Sequence, residues 1–274
     1  MTYEVFISPN ARRGVRYWRE LWAARELLFF LAWRDILVRY KQAVLGVLWA
    51  VLRPVLTTIV FSLVFGKIAK LPAGDLPYPL LVLSGMIPWF FFANTVGESG
   101  GSLVNNSALI TKVYFPRLVV PVSVVLVNFI DFMISSFLLA IMMLVSGIAP
   151  SFGILLLPGV VGVLVLLAVS TGLWMSALNA KFRDVQFVLP FMITFGLYLS
   201  PVGFSTTVVP EKWLWLFQLN PMVGVIDGFR WCLFSDAYPF NGYSLLYSFL
   251  FSVFMLTTGI AYFRSVEREI VDVL

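Results

Sequence analysis

The chain has 274 residues, 60% hydrophobic and only 12% charged, with a mean hydropathy of +0.93 and a net charge of +5. A soluble domain is about a quarter charged, so this composition excludes one and leaves room for several spans of about 20 residues. Histidine is absent and Cys232 is the single cysteine, which removes an internal disulfide, a His/Cys metal cluster and the commonest general base.

The opening stretch, RRGVRYWRELWAARELLFFLAWRDILVRYK, mixes charge and aromatics throughout. It lacks the short basic start, apolar core and small-residue cleavage site of a signal peptide. Trp18, Trp22, Phe29, Trp33 and Leu37 fall near one helical face, and Arg19, Glu20, Arg34, Asp35 and Arg39 lie mostly elsewhere. This pattern predicts an amphipathic helix lying in the membrane surface rather than a soluble core helix. Six spans follow by run length, at about 44–65, 78–103, 118–147, 153–179, 187–203 and 243–263. The fold class read from this pattern is an all-α integral membrane protein with six transmembrane helices. Residues 1–43 form its cytoplasmic N-terminus and 44–274 its six-span transmembrane domain, with no soluble domain expected at either end.

Between the second and third spans lies NNSALITKVYFPRLVVP, residues 105–121. Asn105, Asn106 and Ser107 are good N-cap residues, and a helix is predicted from about Ser107 to Phe115, stopped by Pro116. Lys112 and Arg117 flank Tyr114 and Phe115. A plain connector does not need a capped, basic, aromatic helix; the simpler reading is a membrane-surface loop whose charges set topology.

The connection over 204–241 is too apolar for an open loop and splits at Asn220-Pro221. Its halves, Glu211 to Leu219 and Met222 to Phe234, are each too short to cross a bilayer. Backbone at membrane depth must be paired or buried in protein, which two short re-entrant helices on the outer side satisfy. A loop resting on the outer leaflet is the alternative. Glu211, Trp213, Trp215 and Arg230 put ring surface and charge there, as a gate would.

Most Lys and Arg residues fall in 1–43, 104–117, 180–186 and 264–274, whereas Lys67, Lys70, Lys212 and Arg230 fall on the other side and Arg53 within the first span. The positive-inside rule therefore places both termini in the cytoplasm.

A resemblance rests on several strings in order: WRDILVRYKQAVLGVLWAVLRP (33–54), LVFGKIAK (63–70), YPLLVLSGMIPWFFFANTV (78–96), SLVNNSALITKVYFPRLVVPV (102–122), NAKFRDVQFVLPF (179–191), LSPVGFS (199–205) and NPMVGVIDGFRWCLF (220–234). Together they make the chain resemble the permease subunit of ATP-binding-cassette exporters for lipid-linked polysaccharides, the group serving O-antigen, capsule and teichoic acid export. One departure is Arg53, where many relatives carry an uncharged polar residue before the proline. The resemblance implies a homodimer in the bacterial inner membrane, bound to two separate ATPase subunits and part of lipopolysaccharide biosynthesis or a similar pathway. The phosphate-binding pattern G-x-x-x-x-G-K-[ST] is missing, and Gly66-Lys67 has no glycine five residues upstream. ATP and Mg are therefore expected on the partner subunit. This chain is expected to be no enzyme and to bind no cofactor, metal or nucleic acid, its other partners being membrane lipids.

By the same resemblance, the helix at Ser107–Phe115 is the coupling helix that docks on the ATPase. Leu109, Val113, Tyr114 and Phe115 would be its apolar anchors, with Lys112 and Arg117 at the rim. The N-terminal helix and the Arg183–Asp184 loop are candidate lesser contacts. Spans one and five are implied at the channel. Sugars stack on aromatic faces, so Trp49, Phe61, Trp89, Phe90, Phe91, Phe92, Phe191, Phe195 and Tyr198 are candidate lining, although packing and lipid contact also use such residues. Arg53, Glu98 and Asp131 are charges inside apolar runs, which usually face a bundle interior or water. Arg53 could hold phosphate bidentately or pair with Glu98 or Asp131. The function so implied is ATP-driven export of lipid-linked polysaccharide, threaded stepwise through a channel. An exporter of a drug or small lipid is the alternative. A membrane transferase would want clustered carboxylates or histidine, and a secondary transporter repeated halves.

Overall fold

The structure is a computed structural model that describes residues 15–41, 46–74, 76–235 and 237–267. Among these residues no strand occurs. The start of the first span at Val44, and the ends of the chain over 1–14 and 268–274, lie outside the described residues.

Eleven α-helices are described in chain order: α1 (Val15–Ala23), α2 (Arg25–Lys41), α3 (Gly46–Phe61), α4 (Tyr78–Asn105), α5 (Ser107–Lys112), α6 (Val119–Val145), α7 (Leu157–Lys181), α8 (Val185–Tyr198), α9 (Glu211–Gln218), α10 (Pro221–Phe234) and α11 (Gly242–Val266). Five stretches are long and apolar enough to cross a membrane: Leu48–Ile68, Tyr78–Asn105, Val119–Val145, Phe152–Lys181 and Gly242–Val266. They coincide with the first, second, third, fourth and sixth expected spans. The expected fifth, 187–203, is instead the 14-residue α8 followed by a turn. Pro201 disfavours helix at Ser200, so α8 ends short at Tyr198.

Helix α4 is the axle of the bundle. Its stretch from Leu80 to Trp89 is buried on every side, because α6, α7, α10, α3 and α8 all pack around the helix. Small residues permit the closest approaches. A Cβ on Gly172 of α7 would sit 3.0 Å from the Ser99 side chain, and one on Gly100 would meet Leu189 of α8 at 2.5 Å. Asn179 seals the same contact, donating Nδ2–H to the Gly100 carbonyl at 2.8 Å. Helix α11 lies on α7, where Trp174 stacks on Tyr262 at 4.8 Å and donates Nε1–H to the Met255 carbonyl at 3.1 Å.

Two apolar clusters result. The larger runs through the bundle, from Leu80 and Phe91 to Leu164 and Phe229. The second gathers at the end where α4 meets α5, with Tyr17, Leu31, Phe115 and Phe263. That pole is called the α5 end below and the opposite one the α9 end.

The opening segment is two helices meeting at Ala24, with hydrogen bonds running across the joint (Ala24 N–H to Glu20 O at 3.0 Å, Leu28 N–H to Ala24 O at 3.1 Å). Trp18, Trp22, Phe29, Phe30, Trp33 and Leu37 are exposed, whereas Tyr17 and Leu31 turn inward.

A candidate groove and a docking segment

Helices α3 and α8 are little covered, and a groove runs beside α3 over the α4 surface, flanked by α2 and α6 on one side and by α8 on the other. Helix α3 carries Pro54 in its interior, which removes one backbone hydrogen bond. Beyond Phe61 it widens into a π-helical turn, Ser62–Ile68, a distortion often found at functional positions. Two cavities open on this groove. One of about 350 Å³ includes Arg39, Trp49, Arg53, Phe90, Asn94 and Asp131 in its wall. Another of about 480 Å³ is walled in part by Arg53, Trp89, Phe90, Asn94, Leu189 and Ile193. Arg53, Phe90, Asn94 and Glu98 belong to both walls.

The candidate lining residues separate into two groups. Trp49 on α3 and Phe191, Phe195 and Tyr198 on α8 are exposed, and Phe191 and Phe195 pack at 4.6 Å. Trp89 and Phe91 are buried instead. The Phe91 ring lies against Phe129 and Phe132, at 6.2 and 5.6 Å, inside the core. Trp89 backs onto α8, where a Cβ on Gly196 would stand 2.7 Å from its Cη2. Phe61 lies outside both cavity walls, tilted on Phe65 at 5.3 Å and pressed on Gly203. Tyr78 ties the same corner by donating its hydroxyl to the Gly203 carbonyl at 2.6 Å.

The ion pair that the sequence offered for Arg53 is made by Arg39 instead. Arg39, at the end of α2, donates Nη2–H to both oxygens of Glu98 at 2.7 Å and Nη1–H to Asp131 Oδ2 at 2.6 Å. Asn128 joins by accepting from Arg39 at 3.1 Å and donating to Glu98 Oε2 at 2.9 Å. Tyr40 donates its hydroxyl to Asp131. Burial weighs against the charge of Arg39, but the two carboxylates more than offset it and its pKa is raised. Burial, then the bond to Asp131, pushes the Tyr40 phenol up. Arg53 therefore pairs with neither acid: its guanidinium lies over the Phe90 ring at 5.0 Å, and Nη1 reaches Asn94 Oδ1 at 3.4 Å. Sequence reading placed Arg39 on the polar side of a surface helix and missed its role; nothing local in the sequence marks its partners 59 and 92 residues on.

The segment after α4 differs from its expected form. Helix α5 is a single short helix ending at Lys112, and Val113 is extended at φ −126°, ψ 132°. Asn106 occupies the N-cap position without a side-chain cap bond. Its amide is engaged elsewhere, Nδ2 donating to the Ser102 carbonyl at 2.9 Å and Oδ1 accepting from Arg34 at 3.0 Å. Lys112, Val113 and Tyr114 are exposed, and Leu109 is half-buried. Phe115 is buried in the cluster of Tyr17, Leu31, Ile110 and Phe263. It is an anchor to its own chain and presents no face to a partner. Arg117 donates its backbone N–H to Glu267 Oε1 at 3.3 Å.

At the α9 end, Trp213 and Trp215 stand exposed on α9, with Lys212 Nζ 5.9 Å from the Trp213 ring centre. Arg230 is fully buried rather than at an opening. Its Nη2 donates to the carbonyls of Leu81 and Val202 at 2.9 and 3.0 Å, and Nη1 to that of Phe204 at 3.0 Å. Asp227, missed in the sequence, accepts from Thr206 at 2.6 Å and Tyr238 at 2.8 Å beside it. This knot binds α4, the turn after α8 and α10 together. Asn220 starts α10 by accepting from the Met222 N–H at 3.0 Å while its Nδ2 holds the Leu199 carbonyl at 3.0 Å.

A family model described as ABC-2 type transporter matches residues 26–234, a range that contains the groove, the Arg39 knot and the α5 segment. The chain belongs to the ABC-2 type transporter family. It is 28% identical over 260 residues to the O-antigen export system permease protein RfbA of Myxococcus xanthus, covering 94% of this chain and 99% of that protein. It is 27% identical over 251 residues to an RfbA of Klebsiella pneumoniae, with 91% and 95% covered. It is also 27% identical over 241 residues to the polysialic acid transport protein KpsM of Escherichia coli, with 86% and 91% covered. An ABC-2 membrane protein of this kind is a permease with several apolar helices.

Proposed function

We propose that this chain is the channel-forming subunit of an ATP-driven exporter that moves lipid-linked, O-antigen-like polysaccharide out of the cytoplasm. The observation that carries the reading is alignment along nearly the whole chain with permeases named for O-antigen export and polysialic acid transport. Two copies would form the channel in the bacterial inner membrane, with both termini cytoplasmic and the α5 end facing inward. Helix α8 with the turn after it would complete six spans, and α9 and α10 would dip in from the outer face. ATP and Mg would be held by two separate ATPase subunits, and nucleotide closure there would press on Lys112, Val113 and Tyr114. A buried Phe115 would carry that push into α1, α2 and α11 through the cluster it shares with them.

The groove suits a sugar chain because the rings of Trp49 and Phe90 and the amide of Asn94 stand in its walls, while Phe191, Phe195 and Tyr198 are exposed on α8 outside them. A long polymer cannot be enclosed in an alternating cavity, so stepwise threading follows. Export of a drug or small lipid is less well supported, since the relatives aligned along most of the chain are named for polysaccharides. Deleting the gene should abolish surface glycan and accumulate it inside the cell, and restoring the chain with its ATPase should reverse both. Normal surface glycan in the deletion strain would overturn the reading.

A further inference from the structure

A slot of about 760 Å³ opens between α6 and α7, and among the described residues none of α3 or α8 stands in its wall. Along α6 the wall runs from Phe129 to Leu144, roughly 22 Å by the helix rise. That is deeper than one leaflet of a hydrocarbon core about 30 Å thick. Volume over length gives a mean cross-section of roughly 35 Å², against roughly 80 Å² or more for a helix about 10–12 Å across. The slot is therefore long and narrow. Met133 and Leu144 are exposed at its rim, whereas Phe132, Phe229 and Leu233 are buried at its floor, the last two on α10. Phe132 and Phe229 meet there edge to face at 6.1 Å. On the α7 side a Cβ on Gly162 would find no atom within 4 Å. Residues 132–180 carry no Asp, Glu, Lys or Arg, and Ser136 is the one polar side chain of the wall among the described residues. A held water needs about 2–4 polar partners, so the slot does not hold water. Left empty, its lining forfeits dispersion contacts.

We infer that the slot is a binding site for an acyl chain of a membrane phospholipid, drawn from the leaflet that adjoins the α9 end. Both α6 and α7 are long and apolar enough to cross the membrane, so the medium at the rim is hydrocarbon. Ile148 and Pro150, in the turn between the two helices, place one end of the slot at the α9 end. Its width admits chains and refuses a helix of a second copy or of another membrane protein. Its uncharged wall gives a hydrophilic ligand nothing to hold. A chain seated there differs from lipid that merely coats the exposed helices, because it reaches Phe229 and Leu233 inside the bundle. It thereby braces α10, the helix that Arg230 ties to α4. The inference concerns the membrane around the protein and not its cargo, and it holds whatever the chain exports.

The test is photolabelling of the purified transporter, complete with its ATPase subunits, in nanodiscs of palmitoyl-oleoyl phosphatidylglycerol. A fraction of that lipid carries a diazirine near the end of one acyl chain, and labelled residues are read by mass spectrometry. Label should enter Phe229 and Leu233, which bulk lipid does not reach, as well as Leu250, exposed on α11. In Gly162→Phe, whose ring fills the slot, label at Phe229 should fall about tenfold or more while Leu250 keeps its label. Gly159→Phe is the control: a Cβ there also meets nothing within 4 Å, but Gly159 lies outside the wall, so both labels should stay. In maltoside detergent, adding the phospholipid should raise the unfolding midpoint of the wild type, and that of Gly162→Phe less, because a ligand of the folded state stabilises it. The wild-type labelling and midpoint decide the matter even if Gly162→Phe does not fold. Label at Leu250 without label at Phe229, undiminished label at Phe229 in Gly162→Phe, or dissociation of the protein into single copies in that variant (a second copy filling the slot) would overturn the inference. So would displacement of the phospholipid from Phe229 by a polyprenyl phosphate, which would make the occupant an export carrier.

Discussion

Replacing Arg39 by Gln should loosen α2 from the bundle by an amount the geometry bounds. The guanidinium is the shared donor of Glu98 at 2.7 Å and Asp131 at 2.6 Å. Without it two carboxylates face each other with only the amide of Asn128 and the hydroxyl of Tyr40 as neutral donors. Breaking a buried pair costs about 3–5 kcal/mol, and an exposed one about 0–1. The side chain of Asp131 is 23% exposed and that of Glu98 44%, so solvent screens the second much more than the first. An intermediate cost of about 2 kcal/mol follows, roughly thirtyfold in the equilibrium constant. The assay is thermal unfolding of the purified protein in detergent, where the midpoint should fall by about 5 °C. In the double variant Arg39→Gln/Asp131→Asn the loss should be smaller than the sum of the single losses by about 1 kcal/mol, since one orphaned charge has gone. An unchanged midpoint together with strict additivity would refute the reasoning.

Phe115→Ala should cost about 3 kcal/mol of stability, as removal of a core ring does, whereas Tyr114→Ala should leave the unfolding midpoint in place and weaken ATPase co-purification about tenfold or more. Weakened co-purification with full stability in Phe115→Ala would reverse their assignment. Gly85→Ala should destabilise by about 1–3 kcal/mol, because the new Cβ would stand 2.6 Å from Arg230 Nη2 and 2.7 Å from the Val202 carbonyl. A neutral effect on the midpoint would show that the Arg230 knot yields easily.

Long apolar runs were readable because a span in lipid needs about 20 residues whatever its neighbours do, so α4, α6 and α11 begin and end within a few residues of their expected bounds. The break at Asn220-Pro221 was readable for a local reason too, an N-cap followed by a proline at the first helical position. What could not be read is what depends on partners far along the chain. Arg39 looks like one more cation on a surface helix until α4 and α6 bring Glu98 and Asp131 to it. Arg230 looks like a charge near an exit until three carbonyls from two other segments enclose it. Phe115 looks like a docking anchor because a short aromatic run carries no mark of which ring turns inward. Asn105, Asn106 and Ser107 have the chemistry of caps, yet Asn106 is drawn to Ser102 and Arg34.

The proposed function requires the glycan to pass along the groove beside α3. A photo-crosslinking amino acid placed at Trp49, which is exposed and stands in the groove wall, should capture glycan in living cells when the partner ATPase is active, and one at Tyr243, exposed on α11 away from it, should not. Glycan captured at Tyr243 and absent at Trp49 would contradict it.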